Sequence, residues 1–275
     1  MFRNINFFLP TFGQCWVIVL LIIVAGGFFS IPFHLSTKNP LILYTVTFLP
    51  ALLYLLLKGR ETKNGEGAVE FPLERYGKDS FLRAFAIVFM LALSTVLLSI
   101  ILDPLFSLVE IPDSLVEALY KPMLEKPFWN IITVAMAAPL IEEFFVRGVI
   151  MRGMLHHLSP AKAIIWSAFI FALIHFNLYQ AIGAFSFGIF LGWVYYKSGS
   201  LLYCIVVHSI NNTLAAAMLF IFPEQDVTLY DIVVEHSGLF SYLMLYLISA
   251  LLFGLIIYVM NKILFNGKQK ETLPS

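Results

Sequence analysis

The sequence predicts an all-α, polytopic membrane bundle of about eight transmembrane helices with both termini cytoplasmic, and three observations carry that expectation. The 275 residues are 60% hydrophobic and only 12% charged, with a mean hydropathy of +0.88, about half the charge of an ordinary soluble domain. Apolar runs of membrane-spanning length recur along the whole chain. Basic residues between those runs collect on one side of the bundle they would form. Net charge is zero, so nothing calls for nucleic acid as a partner.

A helical span needs about 20 mostly apolar residues. Runs of this kind fall at 12–33, 39–57, 80–102, 127–151, 161–178, 180–197, 200–222 and 239–264. Backbone in lipid must satisfy its own hydrogen bonds, and barrel strands would be about half as long and would alternate, so each run reads as a helix. The first continues past Ala25, Gly26 and Gly27 into Phe28, Phe29, Ile31 and Phe33, which reads as a retained span rather than a cleaved leader. Asn177 to Gln180 and the Gly199–Ser200 pair divide the long stretch from 161 to 222.

With the N-terminus inside, the inner segments carry twelve lysines and arginines, among them Arg3, Lys58, Arg60, Arg152 and Lys262. The outer segments carry three, Lys38, Lys121 and Lys126. The outer 223–238 loop holds Glu224, Asp226, Asp231 and Glu235 with no basic residue. This is the positive-inside pattern. The charged 58–79 segment reads as a solvated connector. In 103–126, Ser114 and Glu117 have capping-box spacing, which would lay Leu115 and Leu119 along the interface. Neither a repeat nor a linker divides the chain, so residues 1–275 read as one domain. Cys15 and Cys204 lie in apolar runs and predict no disulfide.

Ionisable groups within spans are costly and are functional candidates by default. Span four holds Glu142, Glu143 and Arg147, span five His175, and span seven His208 followed by Asn211 and Asn212. Glu143 and Arg147 are four apart and share a helix face, whereas Glu142 is offset by about 100°. One carboxylate is thus matched to arginine and the other is left to chemistry. His208 and Asn212 repeat the four-residue spacing, as do Phe171 and His175. Pro139 cannot donate a hydrogen bond to Ala135, so a kink or exposed carbonyl is expected beside the carboxylates. Such groups suit hydrolysis: a carboxylate takes a proton from water with an imidazole beside it, while His and Asn donors stabilise an oxyanion. A divalent metal such as zinc held by Glu142, His175 and His208 would serve instead. Taken singly, the Glu143–Arg147 pair reads as a structural ion pair and each histidine as a satisfied core residue. His34, His156, His157 and His236 read as solvated, and Ala184, Gly188 and Gly192 as a close-packing stripe.

The ordered set Glu142-Glu143-x-x-x-Arg147, Phe171-x-x-x-His175 and His208-x-x-x-Asn212 resembles the three motifs of the CPBP family, within 139–215. That family contains the type II CAAX prenyl endopeptidases and the bacteriocin-processing and self-immunity homologues. The resemblance implies an eight-helix intramembrane protease in which Glu142 and His175 activate water and His208 and Asn212 hold the oxyanion. Glu143, Arg147 and Phe171 would support the site. It also implies a peptide or lipidated-protein substrate, reached within membrane lipid, and a home in the bacterial cytoplasmic membrane. A proton- or ion-coupled transporter and a non-catalytic scaffold or bacteriocin immunity factor are the alternatives. No paired broken helices favour the transporter.

Overall fold

The computed structural model describes residues 6–7, 9–62, 69–70, 81–106, 121, 125–221 and 228–264. The Ser114–Glu117 cap, most of the 58–79 connector and both chain ends lie outside the described residues. A short antiparallel ladder joins β1 (Asn6–Phe7) to β2 (Val69–Glu70); the other described elements are helices. The chain divides into two compact units, Met1–Gly77 with Phe128–Ile205, and Lys78–Pro127 with Val206–Ser275.

In the first unit, α1 (Phe12–Ser36) starts at a capping box, Thr11 and Gln14 each accepting from the other's backbone N–H. The helix continues through a wide π turn at Leu21–Ala25. Asn39 caps α2 (Pro40–Thr47) by accepting from the backbone N–H groups of Leu41 and Ile42. A bend of 41° leads into α3 (Leu49–Thr62). Gly26 is needed where α1 meets α2, because a Cβ there would overlap the Thr47 carbonyl.

The long stretch α5 (127–155) alternates α and π geometry: π turns at Thr133–Ala137 and Phe144–Met151 flank the α segment Ala138–Glu143. The expected disturbance at Pro139 takes this form. Its missing N–H and its ring both face Ala135, and the turn containing Ala135 widens. Then α6 (Pro160–Leu173) and α7 (Leu178–Ser198) run out and back. Gly199, at φ 62°, ends α7 with its N–H donating to the Tyr195 carbonyl at 2.7 Å, a left-handed cap that glycine adopts without strain. Ile18, Ile22, Leu55, Phe145, Ile150 and Ile170 from α1, α3, α5 and α6 make the core of this unit.

The second unit contains α4 (Phe81–Phe106), the later part of α8 (Leu201–Ile221) and α9 (Leu229–Val259) with a π turn at Met260–Leu264. The α4 helix packs along α9. Asp103 joins them at one end, its carboxylate accepting from Leu229 N–H (3.1 Å), Tyr230 N–H (3.0 Å) and the Tyr242 hydroxyl (2.9 Å).

Four described helices are long and apolar enough to cross a membrane: Phe12–Ser36, Phe81–Phe106, Leu201–Met218 and Leu229–Lys262. The bent α2–α3 pair makes a fifth if counted as one span. Large apolar side chains such as Leu35 (87% exposed) and Leu251 (74%) point outward, as lipid-facing residues do. The run expected at 161–178 is shorter in the structure. Its helix ends at Leu173, and 14 residues rise only about 21 Å.

Candidate active site

The middle of α5 presents two adjacent buried carboxylates in different directions. Glu143 and Arg147 are both fully buried, with Nη1 donating to Oε1 at 2.9 Å. A lone charge there would be strongly unfavourable, and pairing is what makes the burial tolerable. The other end of the guanidinium donates through Nη2 to the Gly188 carbonyl at 3.0 Å. Arg147 also lies over the Phe171 ring, 4.6 Å from its centroid. Three elements, α5, α6 and α7, therefore meet on one arginine.

Phe171 passes that order on. Its ring meets the His175 imidazole edge to face, with centroids 4.9 Å apart, and its carbonyl lies 2.7 Å from His175 Nδ1. A carbonyl can only accept, so Nδ1 carries the proton of this bond. In the neutral ring Nε2 is then the basic nitrogen. His175 itself sits just past the end of α6, in the corner before α7, and not inside a span as expected. Phe176 turns the chain there with φ 58°, the only positive φ at a non-glycine among the described residues. Asn177 then caps α7, accepting from Gln180 N–H at 2.7 Å and donating to the Gln180 carboxamide at 2.6 Å. The corner is thus fixed on both sides of the imidazole.

Glu142 turns toward α2. Tyr44 donates its hydroxyl to Glu142 Oε1 at 2.5 Å. The Tyr44 ring packs on Phe48 (centroids 5.3 Å), and Phe48 packs on Phe145 of α5 (5.4 Å). The two carboxylates are accordingly divided as their 100° offset requires, one toward arginine and one toward a tyrosine hydroxyl. The stripe of small residues also has a visible purpose. A Cβ on Gly188 would lie 3.0 Å from Ala168 Cα and 3.3 Å from Phe171, and one on Gly192 would lie 3.1 Å from Ile164, so glycine is what lets α7 lie close to α6.

Glu142, Glu143, Arg147, Phe171 and His175 all belong to the first unit. His208 and Asn212 lie on the part of α8 that belongs to the second, one turn apart; His208 is buried, and Asn211 Nδ2 donates to Asn212 Oδ1 at 3.3 Å. Cys15 and Cys204 are buried free thiols whose sulfurs approach the carbonyls of Ile150 and Leu191. Among the described residues, no three His, Cys, Asp or Glu side chains form a group able to hold a metal ion. Tyr44 and the Gly188 carbonyl were not among the residues marked in the sequence, and Asn177 was marked as a break between helices but not as a cap. Only Asn177 carried a local signal, a capping residue three before a glutamine.

Comparison with known proteins agrees with the motif order. No curated relative and no solved structure matches the chain. The apolar helices make the chain an integral membrane protein. Residues 124–214, about a third of its length, match the family model described as type II CAAX prenyl endopeptidase Rce1-like. That segment holds Glu142, Glu143, Arg147, Phe171, His175, His208 and Asn212 together, and the family indicated by the three motifs is the one whose model the chain matches.

Proposed function

We propose that the chain is an intramembrane endopeptidase in which Glu142 and His175 activate the hydrolytic water. The observation that carries this reading is the division of the two buried carboxylates: Glu143 is held by Arg147, while Glu142 is held by a neutral hydroxyl that leaves it the carboxylate suited to proton transfer. Water attacks the scissile carbonyl carbon as its proton passes to Glu142. His175 Nε2 accepts a hydrogen bond from that water and orients it. The carbonyl oxygen becomes an oxyanion, and the motif order in the sequence gives its stabilisation to His208 and Asn212. Collapse breaks the C–N bond, and the proton on Glu142 goes to the departing amine. Arg147 neutralises Glu143, and Phe171 sets the imidazole. No metal takes part in this scheme. One domain with eight spans, both termini cytoplasmic, in a bacterial cytoplasmic membrane is the arrangement we infer from the hydropathy and the charge asymmetry.

The test is purified protein in detergent incubated with a library of prenylated, acylated and unlipidated peptides, read by mass spectrometry. Wild type is expected to cut a lipidated member of the library, and Glu142→Ala and His175→Ala variants with unchanged thermal unfolding to cut none. Equal cleavage by both variants would overturn the assignment. Loss of wild-type activity with a chelator would replace water activation by Glu142 with a metal centre. If no form cuts any peptide, the catalytic reading gives way to a scaffold.

A further inference from the structure

Tyr44 is not part of any of the three motifs, yet it is the side chain whose hydroxyl meets Glu142. We infer that Tyr44 is a positioning residue for Glu142, setting which carboxylate oxygen is turned to the water; this rests on the proposed role of Glu142 as the base. Its hydroxyl donates to Oε1, which fixes the direction in which the carboxylate faces. The donor is delivered by a fixed framework rather than by a mobile side chain. The Tyr44 ring rests on Phe48, Phe48 is buried against Phe145, and Phe145 is only two residues past Glu143 on the same stretch of α5. The backbone beneath is held as well. Gly26 brings α1 against the Thr47 carbonyl, and Phe48 stands at the 41° bend between α2 and α3. Both ends of the bond are therefore anchored to each other through α5, so a carboxylate that would otherwise sample several rotamers is held in one.

A neutral donor also suits the task. A lysine or arginine at this place would form an ion pair with Glu142, as Arg147 does with Glu143, and would oppose its protonation during the reaction. A phenol fixes the carboxylate without forming an ion pair.

The experiment compares wild type with Tyr44→Phe, with para-aminophenylalanine incorporated at position 44, and with Glu142→Gln, on an internally quenched farnesylated C-terminal peptide. Tyr44→Phe keeps the ring contacts and removes the donor, so kcat is expected to fall on the order of 10²-fold with KM unchanged. The para-amino ring restores an N–H donor at the same place and is expected to recover most of kcat. An equal fall in the two ring variants, or none in either, overturns the inference, because a purely packing role would not distinguish them. The outcomes also separate the two claims. Wild-type turnover by Glu142→Gln removes the base itself; an inactive Glu142→Gln with a fully active Tyr44→Phe removes only Tyr44's role. A double-mutant cycle of Tyr44→Phe and Glu142→Ala on thermal unfolding reads the bond without any substrate. Non-additive shifts in Tm are expected, and strictly additive shifts would overturn it.

Discussion

Each compact unit buries a carboxylate against a tyrosine hydroxyl, and the two are put to different uses. In the second unit Asp103 lies at the start of α9. Both its oxygens receive backbone N–H groups, from Leu229 and Tyr230, and the Tyr242 hydroxyl adds a third bond. That is a helix cap supplied from a distant part of the sequence: it satisfies orphan donors and meets the positive end of the helix dipole. In the first unit Glu142 lies mid-helix between two π turns, far from any helix start, and receives the Tyr44 hydroxyl. A carboxylate at a helix N-terminus has a structural reason to be there. One buried in the middle of a helix has none of that kind, which favours giving Glu142 the chemistry.

The comparison can be broken by exchanging the losses. Glu142→Gln is expected to lower kcat on the order of 10³-fold with little change in Tm, while Asp103→Asn is expected to leave kcat near wild type and cost about 1.5–3 kcal/mol of stability. Turnover assays and thermal unfolding in detergent on the two proteins decide it, and a stability loss at Glu142 with a rate loss at Asp103 would reverse the assignment. Arg147→Met should cost about 3–5 kcal/mol, since it strands the buried Glu143. Adding Glu143→Gln to that variant should recover much of the loss, which unfolding of the double variant will read. Tyr242→Phe removes one bond of the Asp103 cap and should cost about 1 kcal/mol without touching kcat, in contrast to the kinetic loss expected for Tyr44→Phe. Thr228→Ala, which deletes the local capping box of α9 with Asp231, should cost about 1 kcal/mol or less given the exposure of that turn.

Local chemistry was legible in the sequence wherever spacing alone decides it. The Glu143–Arg147 pair, the Phe171–His175 ring contact and the Gly199 stop all follow from offsets of a few residues, and the helix-disturbing effect of Pro139 followed from its missing N–H. Contacts between distant segments were not legible. Tyr44 is 98 positions from Glu142, and in an apolar run a tyrosine has no feature that marks it as a carboxylate partner. Gly188 was readable as a packing glycine but not as the acceptor for Arg147, because its backbone carbonyl carries no sequence signature. The corner at His175 was misplaced for a related reason. The run 161–178 is mostly apolar, and hydropathy does not register that the helix stops at Leu173 or that Phe176 beyond it takes a left-handed conformation.

Glu142, and not the ion-paired Glu143 or the capping Asp103, is the carboxylate proposed to perform the chemistry. The most direct measurement is the cleavage rate of a lipidated peptide that wild type cuts, by Glu142→Gln and Asp103→Asn protein at matched folded concentration. Asp103→Asn is expected to cut at close to the wild-type rate and Glu142→Gln to yield no product above background. Product formed by Glu142→Gln at the wild-type rate would contradict it.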